Sequence, residues 1–308
     1  VRRPGDRIFS GAATTSGVFV IALIAAIGVF LVIQAVPSLS ANNANFVFSG
    51  VWSTTNPGDL QFGILYLLWV TVATSALALL LAMPVSLGIA LFLTHYAPKR
   101  LSRAFAYVID LLAAVPSIIF GLWGLKVLGP ALVPVAQWLN DYLGWFPLFA
   151  QGNVSIGGGG TVFTAGVVLA VMILPIITAV SREVFERTPR EHIEGALALG
   201  ATKWEMIRTT VLPFGKAGYV SASMLGLGRA FGETVALYLI LSTTAAAPLL
   251  SFFDGGSTIA SKIALDAQEF NNALSAGAYI AAGLVLFLLT FVVNAIARSI
   301  VAGKKEYA

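Results

Sequence analysis

The chain has 308 residues, 58% of them hydrophobic and 10% charged, with 18 Lys and Arg against 14 Asp and Glu. Soluble domains carry roughly 25% charged residues, so a mean hydropathy of +0.88 excludes an ordinary water-soluble enzyme and indicates an all-α, polytopic membrane protein. Cysteine is absent, which removes disulfides and thiolate metal sites but leaves the redox compartment open.

A membrane helix needs about 20 consecutive apolar residues, and six segments qualify: about 17–36, 62–94, 103–128, 161–181, 217–244 and 275–298. Residues 1–16 read as a short cytoplasmic lead, with Arg2, Arg3 and Arg7 around the turn formers Pro4-Gly5-Asp6. A basic head before an apolar run has the outline of a signal peptide. The run is longer than a usual signal core and five more spans follow, so 17–36 is expected to be an uncleaved first transmembrane helix. Residues 37–61, with Asn42, Asn43, Asn45 and a Pro57-Gly58 turn, read as an external loop. The second span is long enough to tilt or to project beyond the bilayer.

Three spans contain proline: Met83-Pro84 in the second, Val115-Pro116-Ser117 in the third and Leu174-Pro175 in the fourth. Proline removes an N–H and strains the preceding turn, and such breaks persist in membranes where neighbours or a cavity satisfy the freed carbonyls. Three among six helices suggest a bundle that must change shape. Loop 129–160 carries Pro130, Pro134, an amphipathic Val135–Leu143 and four glycines, Gly157–Gly160. Its aromatics Trp138, Tyr142, Trp145 and Phe146 read as an interfacial belt.

Between the fourth and fifth spans, residues 194–213 form a small, charged, Ala/Gly-rich helical stretch. Tiny side chains hold poorly in lipid but let another backbone approach closely, which suits docking into a cleft on a partner protein. Fifteen of the 18 basic residues fall at the N-terminus, between spans two and three, between spans four and five, and after span six. The loops on the opposite side hold only Lys262, so both termini are expected in the cytoplasm. The pI near 9.4 therefore reflects orientation, and no nucleic-acid partner is inferred.

Ionisable residues within spans cost about 2.5–3.5 kcal/mol each on insertion scales, so each needs a reason. Lys126 lies near a span end and can snorkel, whereas Asp110, some two turns inside, is either a structural partner or part of a path. Arg229 sits near the middle of the fifth span with Glu233 four residues on, on the same helical face. The two are either a self-neutralising structural pair or a transient anion site. A guanidinium fork suits oxyanions, and Glu233 would keep the hold weak enough for release. Gly228 and Gly232 flank this pair at a spacing that permits close helix approach. No Gly-x-x-x-x-Gly-Lys-Ser/Thr loop occurs and only two histidines, His95 and His192, are present, so neither a nucleotide site, a cofactor nor a buried metal is expected.

Glu194, Ala196, Gly200, Leu212 and Pro213 stand in the register of the Glu-Ala-Ala motif of ABC-importer permeases, departing from it at Gly195 and Thr210. With Ile173–Phe185, Leu225–Thr234 and Val115-Pro116-Ser117 followed by Gly121-Leu122-Trp123-Gly124-Leu125, the chain from about 60 to 300 resembles the phosphate-importer permeases of the PstC type. The resemblance implies a type I importer permease fold with six transmembrane helices, a core over 62–301, a coupling helix at about 190–208 and a cytoplasmic tail at 302–308. It implies location in a bacterial or archaeal cytoplasmic (inner) membrane, and partners: a PstA-like second permease, an ATP-binding subunit dimer and an extracytoplasmic phosphate-binding protein. In that family Arg229 and Glu233 fall on the phosphate path, to which the reading of the residues adds Asp110. Glu194, Ala196, Ala198, Gly200, Ala201 and Trp204 fall on the ATPase-coupling segment. Permeases for molybdate, sulfate or phosphonate share the coupling helix; a channel or a secondary transporter would need none, and a membrane scaffold or sensor would leave Arg229 unexplained.

Overall fold

A computed structural model describes residues 4–56, 58–244, 247–270 and 272–302. Arg2, Arg3, Pro57, Lys304, Lys305 and the tail from 303 onward lie outside the described residues. The helices are α1 (Pro4–Ser40), α2 (Leu65–Leu91), α3 (Lys99–Ala113), α4 (Ser117–Trp123), α5 (Gly129–Leu143), α6 (Val162–Glu186), α7 (Arg190–Ala198), α8 (Lys203–Met206), α9 (Leu212–Phe231), α10 (Val235–Ile240), α11 (Ile259–Leu265) and α12 (Ala273–Ala302). Wider π turns, Phe92–Tyr96, Gly124–Leu128 and Ile207–Val211, prolong α2, join α4 to α5 and join α8 to α9.

Five helices among the described residues are long and apolar enough to cross a membrane: Ile8–Ser40, Leu65–Tyr96, Ser117–Leu143, Ile156–Glu186 and Ala273–Ser299. Two of the six expected segments are broken in the structure. Segment 103–128 breaks between α3 and α4, where Pro116 adopts an extended conformation and biases Val115 away from the helix. The apolar run then continues to Leu143, so the first half of the expected loop 129–160 is helix. Pro130 lies inside that continuous run and has no N–H to return to the preceding turn; the wider π turn Gly124–Leu128 stands immediately before it. Segment 217–244 breaks at Gly232, which ends α9, and resumes at Val235. Glycine is about 1 kcal/mol less favourable than alanine inside a helix, and here it marks the stop.

The chain separates into two compact units. The first comprises residues 1–64 and 265–289. Its core gathers Ala35, Leu60, Phe62, Ala278 and Ala281, and Trp52 meets both Phe62 and Tyr279 with ring centroids 5.8 and 5.3 Å apart. A two-stranded antiparallel ladder, β1 (Trp52–Ser53) on β2 (Gln61–Phe62), closes the segment after α1. Asn42 fixes the register: its side-chain amide donates to Phe62 O, and its side-chain oxygen accepts from Phe62 N. The apolar stretch of α1 is exposed on every side within this unit, as expected of a helix that meets lipid all round.

The second unit, residues 65–264 and 290–308, is organised around α6, 72% of whose apolar window is buried. α2, α3 and α9 pack against it. Close approach of α9 depends on glycine: a β-carbon added at Gly226 would stand 2.7 Å from Ile177 Cγ1, and one at Gly218 would meet Val184 at 2.5 Å. Tyr219 on α9 also donates to the backbone oxygen of Met83 beside Pro84 of α2, at 2.8 Å. At one end of α6 the loop 145–160 is knotted to 247–258 around Asp254, which is fully buried. Its carboxylate accepts the amides of Asn153, Leu249 and Ser251, while its backbone oxygen accepts from Val162, the first residue of α6. Three charge-assisted bonds offset the cost of burying that charge.

Candidate substrate cavity and coupling segment

Arg229 lies in the last turn of α9, one turn before the helix breaks. It lines a cavity of about 930 Å³ bounded by Ile176 of α6, by Val220, Ser221, Met224, Leu225 and Gly228 of α9, and by Asn294, Ala297 and Arg298 of α12. The α9 contribution follows helical spacing: Ser221, Leu225 and Arg229 recur every four residues and share one face. Among the described residues no acidic side chain lines it. Arg229 Nε is buried and without a hydrogen-bond partner, and among the described residues no carboxylate lies within 4 Å of the guanidinium.

Glu233 is turned elsewhere. It is 7% exposed, and its Oε1 accepts the amide N–H of Ala236 at 3.1 Å, in the first turn of α10. A carboxylate there satisfies a free amide and complements the positive end of the helix dipole, so the side chain holds the restart of the helix after the Gly232 break. The i,i+4 spacing suggests a charge pair; the break between α9 and α10 separates the two groups. Gly228, expected to serve helix approach, instead faces open space at the cavity, with nothing within 4 Å of an added β-carbon.

Asp110 is not brought to Arg229. It is exposed on α3 and lines a second cavity of about 540 Å³ with Lys99, Arg103, Tyr107, Arg182 and Glu186. Arg182 and Glu186 approach to 3.9 Å there. Asn294 and Arg298, which do line the larger cavity, escaped the sequence reading because the last span looks uniformly apolar and Arg298 counts toward topology. Their i,i+4 spacing on one helical face was the available signal.

The small-residue segment is built as helix, tight stop, helix. Ile193 and Ala196 of α7 pack on a core of Ala90, Leu91, Phe185, Met206, Ile207 and Val211. That anchoring turns Glu194, Gly195, Ala198 and Leu199 outward, and Leu199 is 91% exposed. Gly200 has φ +84°. It donates to Leu197 O at 3.0 Å while Ala201 donates to Ala196 O at 3.2 Å, the paired bonds of a helix end that needs a left-handed residue. The sequence reading attributed Gly200 to close approach; the backbone also requires glycine there. Ala201 is half-buried. Thr202 then caps α8 reciprocally with Glu205, and these hydrogen bonds hold the Glu205 carboxyl below the usual carboxylate range. Lys203 Nζ stands 4.9 Å above the Tyr96 ring, in cation–π range, and Trp204 is 55% exposed. The outward face of α7 and α8 thus mixes small residues with the charged Glu194 and the large apolar side chains of Leu199 and Trp204.

The family model for the binding-protein-dependent transport system inner membrane component matches residues 85–305. The chain is 59% identical over 302 residues to the phosphate transport system permease protein PstC 2 of Mycobacterium tuberculosis, covering 98% of this chain and 93% of the relative. It is 60% identical over 304 residues to the PstC permease protein of Mycobacterium leprae, covering 99% and 95%, and 40% identical over 307 residues to that of Haemophilus influenzae, covering 98% and 94%. Among solved structures, a chain of the inward-facing MetNI methionine ABC transporter superposes with a TM-score of 0.54 at 17% identity, over 77% of this chain and 95% of that one. That likeness speaks to the fold alone. Family model, full-length relatives and fold agree: the chain belongs to the binding-protein-dependent transport system inner membrane components, a family of multi-pass ABC-transporter permeases.

Proposed function

We propose that this chain is the permease subunit of an ATP-driven importer that moves inorganic phosphate into the cytoplasm by alternating access. The observation that carries the reading is the cavity beside Arg229: among the described residues the guanidinium has no carboxylate partner and no acid lines the space. An arginine kept in a membrane protein without an ionic partner calls for an anion. The names borne by relatives at 59–60% identity over nearly the whole chain support phosphate as that anion. Arg229 gives the passing anion a transient hold, and the gap at Gly232–Thr234 gives α9 and α10 a place to flex.

Energy enters through α7 and α8. Glu194, Ala198 and Leu199 are exposed, and the core contacts of Ile193 and Ala196 tie any displacement of α7 to the ends of α2 and α6. A cytoplasmic ATPase dimer seated on that face would rock the helices that bound the cavity. The distribution of basic residues supports a cytoplasmic location for this segment and both termini. A second, PstA-like permease completes the membrane part, and an extracytoplasmic binding protein delivers phosphate. Asp110 stays a candidate for the path only if its separate cavity joins that of Arg229 in another conformation.

The test is uptake of labelled phosphate by the reconstituted complex, with excess sulfate and molybdate as competitors. Uptake that depends on ATP and the binding protein, and that neither competitor reduces, is expected. Efficient competition would assign the cavity to another oxyanion, and uptake without the ATPase would remove it from this mechanism.

A further inference from the structure

Arg298 has an obvious role in the sequence: a cation after the last span that helps set orientation. Its place in the fold asks more of it. Arg298 and Asn294 are one turn apart on α12 and line the same cavity as Arg229. Among the described residues Arg298 has no ion pair. Two guanidinium groups therefore line one cavity, and among the described residues no carboxylate pairs with either.

We propose that Arg298 is a second anion contact of this cavity, and that the two arginines give the cavity its fit for an oxyanion carrying more than one negative charge. The inference rests on the phosphate-import reading and deepens it. A phosphoryl group bears roughly −1.5 to −2 charges near pH 7, more than one arginine offsets. Two like charges on one lining repel each other, so the cavity favours entry of a polyanion over a neutral solute. The polar lining is sorted for donors as well. Ser221 spends its hydroxyl hydrogen on Ala217 O at 2.9 Å, whereas Asn294 carries an amide with two N–H groups. Along α9 the lining runs from Val220 to Arg229, about 13 Å at the helical rise per residue. That is longer than one phosphate, so the anion can change contacts as it passes without losing all of them at once. Arg298, close to the tail end of α12, is the contact from which it leaves.

The experiment uses the complete complex in proteoliposomes with labelled inorganic phosphate. Three variants are compared with wild type: Arg298→Gln, Arg298→Lys, and Arg298→Gln combined with Asn294→Arg, which moves the cation one turn along the same wall. A charge-assisted hydrogen bond is worth enough that Arg298→Gln should lower maximal uptake about tenfold or more, with unchanged inserted complex and unchanged stimulation of ATP hydrolysis by the binding protein. Lysine should restore uptake only in part, because it lacks the fork; the relocated arginine should restore a measurable share. Uptake by Arg298→Gln within about twofold of wild type overturns the inference while the import reading stands. A loss that merely follows reduced insertion, fully repaired by lysine, also overturns it and returns Arg298 to orientation alone. A wild-type complex that takes up no phosphate refutes the underlying reading first.

Discussion

Replacing Arg229 by glutamine separates the two meanings an intramembrane arginine can have. Had Arg229 neutralised Glu233, the change would strand a buried carboxylate and cost about 3–5 kcal/mol, enough to prevent assembly. In the structure Glu233 bonds Ala236 N–H instead, and no carboxylate lies within 4 Å of Arg229 among the described residues. Arg229→Gln should therefore leave assembly and thermal stability within about 0.5 kcal/mol of wild type, as for a substitution that breaks no contact. Transport should respond differently. One charge-assisted hydrogen bond to an anion is worth about 1.5–3 kcal/mol, and 1.4 kcal/mol is a factor of ten. Phosphate uptake should thus fall roughly 10- to 150-fold while ATP hydrolysis persists. The assay is labelled uptake by purified, reconstituted complex, read beside ATPase rate and melting temperature. The double variant Arg229→Gln with Glu233→Gln is decisive: recovery of uptake in it would falsify the anion-site assignment and make the two residues a structural pair.

Three further outcomes follow from local geometry. Gly226→Val should destabilise by about 1–3 kcal/mol through overpacking, because the first added carbon already meets Ile177 at 2.7 Å, whereas Gly228→Ala should fold normally; equal melting temperatures for both would contradict the α6–α9 packing. Gly200→Ala should cost about 1–2 kcal/mol through the left-handed backbone, Gly200→Asn less, and Gly200→Trp should also uncouple ATP hydrolysis from uptake; wild-type transport by the Trp variant would sink the docking assignment. Glu205 has a folded-state pKa below its unfolded value, so its capping contribution is complete above the ordinary glutamate range and is lost as pH falls through the lowered value. Hydrogen exchange at Lys203–Met206 should accelerate over that acid window in wild type and lose this pH dependence in Thr202→Ala; an unchanged profile in the variant would exclude the capping box as its source.

Composition and local pattern determined the class of this protein. Apolar runs of about 20 residues leave a chain no alternative to helices across a bilayer, since lipid offers the backbone no hydrogen bonds. Basic residues clustered in alternate loops set an expected orientation, and Ala196, Gly200 and Pro213 in register set an expected coupling segment. Arg229 stood out because a mid-span charge is costly wherever it ends up facing. What local pattern could not decide was direction. Gly228 and Gly226 are both small, yet only packing against Ile177 sends one into the α6 contact and leaves the other at the cavity. Glu233 keeps a helical spacing from Arg229, yet Gly232 interrupts the helix and delivers the carboxylate to Ala236. Asp110, Arg298 and Arg229 all looked like charges at or within spans, and only the assembled bundle separated the first from the other two. Spacing along one helix fixes which residues share a face; what that face meets depends on helices far away in sequence, and there the tertiary structure was needed.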